Sequence, residues 1–410
     1  MTDRRFVIVG AGLAGAKAAQ ALREQGFDGS VTVVGDETQR PYERPPLSKE
    51  YLTGAAELDT VYVHDEAWYD EHDVDLRLGT SVTRIDRDAR QVETTTGDRI
   101  DYAKLLLATG SRPRRLALPG GDAQGVHYLR RIDDSQRIKD MIASTSHLLV
   151  IGGGWIGLEV ASAARNAGVD VTIVEMAALP LLGALGPELA QVFADLHTEH
   201  GVTLRTDVGV ERITTAGGVA TGARLTDGTE LDAEAVVVGI GAVPNVGLAD
   251  EAGLNVNDGV LADAALRTSD PHIVVAGDIA RAEHPLLGRR IRVEHWANAL
   301  NQPAVAAASM LGREARYDEL PYFFTDQYDL GMEYHGYVEP GGYDDVVFRG
   351  DRAGREFIAF WLAGGRVLAG MNVNVWDVGE PIKALIRSGT PVDTDRLADV
   401  QVPLEDLTSS

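Results

Sequence analysis

The 410-residue sequence predicts an α/β protein with two Rossmann-like dinucleotide-binding domains, one inserted in the other, and a C-terminal α+β domain. Three observations predict it. Apolar strands end abruptly in glycine at residues 6–10 (FVIVG), 105–110 (LLLATG), 148–152 (LLVIG), 236–239 (VVVG) and 273–277 (IVVAG). Continuous apolar runs of this kind suit strands buried on both faces, and alanine- and leucine-rich helical stretches at 15–25 and 157–167 lie between them. Second, GAGLAG at 10–15 returns as GGGWIG at 152–157, each after a strand and before a helix. Third, the texture changes near residue 320. The stretches 345–349, 356–362 and 367–375 read as strands, with turns at 351–354 and 363–366 as in antiparallel hairpins. The expected division is 1–113 with 245–320 for the outer domain, 114–244 for the inserted one and 321–410 for the last. The closing residues 408–410 are expected to fray.

Each glycine in such a fingerprint has a physical task. The first allows a tight turn, the second lets backbone approach a pyrophosphate, and the third lets helix and strand pack closely. Phosphates then rest against the unpaired amides of the helix start. In the second copy, Gly152, Gly154, Ile156 and Gly157 open the helix, and Glu175 follows 23 residues after Gly152. A carboxylate there accepts the ribose hydroxyls and repels a 2′-phosphate, and residues 176–183 contain no arginine, so NADH is expected rather than NADPH. In the first copy, Gly10, Gly12, Ala14 and Gly15 form the turn, Gly35 stands in the usual acid position, and Asp36 comes one residue later. Hydride exchange between FAD and a nicotinamide explains two dinucleotide sites in one chain.

Composition narrows the function. A net charge of −24 with pI near 4.7 disfavours nucleic acid and anionic membrane partners. No stretch of 18 apolar residues and no signal-like start is present, so a cytoplasmic protein is expected. The absence of cysteine excludes disulfides, thiolate metal sites and dithiol relays, and no metal site is expected.

Several runs resemble the FAD-dependent ferredoxin reductases of the putidaredoxin-reductase type: 40–52 (RPYERPPLSKEYL), 107–114, 128–130, 152–160, 239–245, 276–280 and 293–299. The resemblance spans the chain and implies an NADH-dependent oxidoreductase passing single electrons to a [2Fe–2S] ferredoxin, which feeds a haem-thiolate monooxygenase or Rieske dioxygenase. It implies FAD contacts from Gly10, Gly12, Ala14, Gly15 and Asp36, from Arg44 and Lys49 in the loop over the flavin, and from Val82, Arg130, Asp278 and Trp296. Gly152, Gly154, Ile156, Gly157, Glu159, Glu175 and Gly241 would serve NADH. Lys49 would lie near flavin N5, paired with Glu159, as the catalytic pair. The bare residues also admit Lys49 as a solvated loop residue and Glu159 as a helix-surface charge.

Where related disulfide reductases carry a cysteine pair, this chain has PPLSK at 45–49, so electrons must leave directly to an external acceptor. Tyr322 and Phe324 replace tryptophans that often precede the family's Asp-Gln-Tyr motif, which suggests either a different partner preference or plain packing. Arg289, Arg290 and Arg292, or Lys383 and Arg387, are candidate basic patches for an acidic ferredoxin. His295 is expected to be structural. A rubredoxin reductase and an NADH-responsive binding switch of the apoptosis-inducing-factor type remain as alternatives. An NADH oxidase is disfavoured without a redox cysteine.

Overall fold

The computed structural model describes residues 4–407, so residues 1–3 and the 408–410 tail lie outside the described residues. The chain forms two compact units, Met1–Glu43 with Leu58–Arg112 and Val243–Tyr322, and Arg44–Glu57 with Pro113–Ala242 and Phe323–Ser410.

The first unit is built on a five-stranded parallel sheet. Its order is Ile273–Val275, Lys104–Leu107, Arg5–Val9, Ser30–Val34, Val74–Arg77. Val7, Ile8, Leu105, Leu106 and Ile273 are fully buried, which is why these strands are apolar throughout rather than alternating. Helix α1 (Leu13–Glu24) returns across the sheet and packs against the helix Trp296–Met310. From the central strand Arg5–Val9 the chain steps first to the Ser30–Val34 side and later to the Lys104–Leu107 side. That reversal leaves a crevice at the carboxyl ends of the two strands, where open α/β sheets bind ligands.

The second unit repeats the plan. Its parallel sheet runs Thr203–Arg205, Asp170–Val174, His147–Ile151, Ala235–Val238, Val126–Tyr128, with helix α2 (Trp155–Asn166) after the central strand. The reversal falls between His147–Ile151 and Ala235–Val238. A five-stranded antiparallel sheet follows, ordered Tyr322–Gln327, Leu330–Gly336, Arg366–Val373, Glu356–Ala363, Asp345–Asp351. The helix Gly379–Ser388 lies on it with Ile382 and Leu385 fully buried. A Cβ at Gly370 would come within 2.5 Å of Ile382, so only glycine permits that approach. The antiparallel sheet and the second parallel sheet share one core, in which Phe193, Leu196, Tyr334 and Trp361 meet. The loop Arg44–Glu57 joins that core through Leu52, and the Ser135 hydroxyl donates to the Leu47 carbonyl at 2.7 Å.

Candidate functional site

In the first fingerprint the three glycines divide by what surrounds them. Gly10 has φ +118°, and a Cβ there would lie 2.1 Å from the Ala108 carbonyl oxygen, so the turn itself demands glycine. A Cβ at Gly15 would lie 2.0 Å from the Gly10 oxygen, so helix and strand demand the third. Gly12 is different. Its φ of −93° and ψ of −168° suit any residue, and an added Cβ meets nothing within 4 Å. Among the described residues, neither backbone strain nor a close neighbour demands glycine there. Gly12 is also the N-cap of α1, has no side chain to cap the first amides, and is followed by no acid in the first turn. Uncapped amides and the positive helix end suit a pyrophosphate.

The second fingerprint repeats this division. Gly152 (φ +101°) and Gly157 would place a Cβ 2.5 Å from the Gly239 oxygen and 2.2 Å from the Gly152 oxygen. Gly154, the uncapped N-cap of α2, would have only the Gly239 oxygen near it, at 3.6 Å. Glu175 stands at the end of Asp170–Val174, where its carboxylate accepts from the amides of Gly153 at 2.7 Å and Ala177 at 2.8 Å. Those bonds aim it beside the cradle and leave lone pairs for ribose hydroxyls. Gly241 receives the Arg114 amide on its carbonyl at 2.8 Å.

Within the second unit, Lys49 and Glu159 form an ion pair at 2.7 Å, with side chains only 8% and 4% exposed. This excludes a solvated lysine and a surface glutamate. Glu159 projects from α2, one turn past its start, while Lys49 sits between a 3₁₀ turn at Pro45–Ser48 and the short helix Glu50–Thr53. Burying both charges is tolerable only with further hydrogen bonds. Glu159 has them, from the hydroxyls of Ser48 at 2.5 Å and Thr325 at 2.6 Å. The Phe324 ring lies 5.2 Å from the Lys49 ammonium, within reach of a cation–π interaction. Sequence reasoning missed Ser48 and Thr325, although both flank residues it singled out.

The other expected residues fall as follows. In the first unit Asp278 lies three residues past the strand Ile273–Val275 and accepts the Ser111 hydroxyl at 2.6 Å, while Gln302 accepts the Gly277 amide at 2.8 Å. Trp296 opens its helix with the indole N–H donating to Glu43 at 3.2 Å. Asp36 is exposed just beyond Ser30–Val34, Ala14 lies in the first turn of α1, and Val82 starts the strand Val82–Asp86. His295 is the N-cap of the Trp296 helix, and burial lowers its pKa to about 4 although Asp278 opposes the shift, so it is neutral. In the second unit Arg44 donates to the Arg130 carbonyl, and the Arg130 amide donates to Asp134 at 3.0 Å. The basic candidates are largely neutralised. Arg290 pairs with Glu283, Arg292 with Glu294 and Asp258, and Lys383 with Glu380. Among the described residues no helix is long and apolar enough to cross a membrane.

Residues 4–303 match the family model described as pyridine nucleotide-disulphide oxidoreductase, and residues 322–408 match one described as reductase C-terminal. The chain belongs to the pyridine nucleotide-disulphide oxidoreductase family. It is 42% identical to the ferredoxin–NAD(+) reductase component of an anthranilate 1,2-dioxygenase system from Burkholderia cepacia, over 99% of both chains. It is 40% identical to rhodocoxin reductase of Rhodococcus erythropolis, over 98% of this chain and 93% of that one. The crystal structure of the covalent putidaredoxin reductase–putidaredoxin complex superposes with a TM-score of 0.94 at 38% identity, covering 99% of this chain and 98% of that one. This member of the oxidoreductase family has no cysteine, so the disulphide in the family's description has no counterpart here.

Proposed function

We propose that the chain is an NADH-dependent ferredoxin reductase that draws a hydride from NADH and delivers single electrons to a [2Fe–2S] ferredoxin serving a haem-thiolate monooxygenase or Rieske dioxygenase. The observation that carries this reading is the duplicated glycine cradle, in which neither strain nor packing accounts for Gly12 or Gly154, in a chain without cysteine. Full-length likeness to reductase components of oxygenase systems supports the choice of acceptor. The setting that fits such a partner is the cytoplasm.

FAD, when bound, supplies a centre that takes an electron pair as hydride and returns electrons one at a time. In the first unit the amides that open α1 would hold its pyrophosphate, Asp36 and Asp278 would take sugar hydroxyls, and Ala14, Val82 and Trp296 would complete the contacts, while the expectation for Arg44 and Arg130 rests on the resemblance alone. NADH would lie on Gly152, Gly154, Ile156, Gly157 and Gly241, with Glu175 on its ribose. Lys49 would supply a positive charge to stabilise negative charge gained by the acceptor of the hydride, and Glu159 would hold that ammonium in place. No side chain needs to act as a general acid or base, consistent with a neutral His295.

Steady-state reduction of cytochrome c by NADH, with and without a [2Fe–2S] ferredoxin, tests the reading. Fast turnover is expected only with both present, and NADPH is expected to support little. Flavin bleaching by NADH with no carrier able to reoxidise it, rubredoxin included, would refute the electron-transfer role.

A further inference from the structure

Glu159 carries more hydrogen bonds than pairing with one lysine requires. Its Oε1 accepts from Lys49 Nζ and from the Thr325 hydroxyl at 2.6 Å, and its Oε2 accepts from the Ser48 hydroxyl at 2.5 Å. An ionised carboxylate only accepts, so the Thr325 O–H must point at Glu159. The remaining lone pair of that hydroxyl then faces Gln327, whose Nε2 donates to it at 3.1 Å. This orientation turns Gln327 Oε1 towards His197 Nε2, 2.9 Å away, so that nitrogen carries the hydrogen. Nδ1 of the same ring is therefore an acceptor, and the Tyr328 hydroxyl approaches it at 3.3 Å. Ser48, Glu159, Thr325, Gln327 and His197 are all buried. The chain of bonds is thus directional, with hydroxyl, amide and imidazole aligned by one negative charge.

We infer that Thr325, Gln327 and His197 are positioning residues for the Lys49–Glu159 pair. Thr325 fixes the rotamer of Glu159, Glu159 fixes the ammonium, and Gln327 with His197 keeps the Thr325 hydroxyl from turning away. Threonine suits this post because its branched Cβ restricts rotation of the hydroxyl. Sequence neighbours alone could not assemble the chain, since Thr325 is 166 positions from Glu159 and Gln327 is 130 from His197. The inference rests on the reading of Lys49 as the cation that serves hydride transfer.

The test uses FAD-loaded protein mixed rapidly with NADH, with flavin absorbance as the readout. Thr325→Val keeps the shape and removes the donor, whereas Thr325→Ser keeps the donor. Thr325→Val is expected to slow the limiting rate of flavin reduction about tenfold, the scale of one hydrogen bond to a charged group, while the NADH dissociation constant stays within about twofold. Thr325→Ser is expected to restore most of the rate. Equal slowing in both variants would overturn the positioning role, because packing rather than the hydroxyl would then be responsible. An unchanged rate in Thr325→Val beside a slowed Lys49→Gln would also overturn it and leave the reading of Lys49 standing. An unchanged rate in Lys49→Gln would sink that reading and this inference together. If Thr325→Val fails to retain FAD, Gln327→Leu decides, with a slowing of about threefold expected and no slowing refuting the proposal.

Discussion

Replacing Gly154 and Gly157 by alanine, one at a time, separates the two reasons a glycine can stand in the second fingerprint. At Gly154 the backbone (φ −82°, ψ 177°) accepts alanine without strain, and the new methyl group meets only the Gly239 oxygen at 3.6 Å. Its effect on folding is therefore small, with a gain of about 0.4–1 kcal/mol possible from a stiffer unfolded chain. On the proposed reading, the same methyl group would stand where a pyrophosphate approaches the first amides of α2. Losing one hydrogen bond to a charged oxygen costs about 1.5–3 kcal/mol, which corresponds to a roughly 10- to 100-fold weaker NADH complex. Gly157 is the reverse case. Its Cβ would lie 2.2 Å from the Gly152 oxygen, so α2 must move off its strand, an overpacking cost of about 1–3 kcal/mol. Thermal melts and NADH titrations of both variants distinguish the outcomes. Gly154→Ala should melt like the parent and bind NADH poorly, while Gly157→Ala should melt lower. A Gly154→Ala protein that melts several degrees lower yet keeps its NADH affinity would refute the argument that a ligand requires this glycine.

Asp278→Ala should purify with less than full FAD, because it removes a carboxylate oriented by Ser111 beside the strand end, and flavin absorbance relative to protein measures the loss. Glu175→Ser should raise the ratio of NADPH to NADH efficiency about tenfold or more, since it removes both the ribose acceptor and the charge that repels a 2′-phosphate. Stability should fall as the solution is acidified from pH 7 towards 5. Burial holds His197 and His295 at pKa values of about 4 in the folded chain, below the ordinary 6.5, so the unfolded chain takes up more protons between those limits. Their contribution is complete above pH 6.5 and lost as pH falls towards 4, at up to about 1.4 kcal/mol per pH unit for each histidine. Denaturant unfolding at pH 7 and 5.5 should show the loss, and His197→Gln should lessen it by one histidine's share, His295 keeping its own. An unchanged slope in that variant would remove His197 from the account.

The α/β layout was legible because its strongest signals are local. A strand buried on both faces must be apolar throughout, and residues 6–10 and 148–152 announce that within five positions. The edge strands Val74–Arg77 and Thr203–Arg205 were harder to read, since one exposed side gives them mixed, alternating residues. Lys49 and Glu159 came from the resemblance, and their burial rules out two surface charges. Ser48 and Gln327 lie inside runs that carry the resemblance and Thr325 beside one, but the network they form with His197 left no sequence signal, because it consists of contacts between distant parts of the chain. The pairing of Arg290 and Arg292 with acids was itself readable. Glu283 faces Arg290 across the antiparallel pairing of Ala280–His284 with Arg289–Ile291, and Glu294 follows Arg292 two positions on.

Two copies of one fingerprint need not hold their ligands equally long, and the residue before the third glycine shows how the copies differ. In the first copy that residue is Ala14, buried at 7% exposure and close to Gly277, where a Cβ would sit 3.3 Å from the Ala14 methyl. The turn carrying Asp278 is thus packed against the start of α1 within one unit. In the second copy the matching residue is Ile156, 41% exposed, and Met176 beside Glu175 is 79% exposed. A group that stays through many turnovers gains from being enclosed by its own domain, whereas a nucleotide that leaves each cycle must have an open way out. Burial at Ala14 suits the resident FAD, and exposure at Ile156 and Met176 suits the exchanging NADH. On this argument Ile156→Ala should change the rate of NAD⁺ release more than the retention of FAD. Parallel measurement of product release and flavin content would show whether the asymmetry of the two cradles governs exchange.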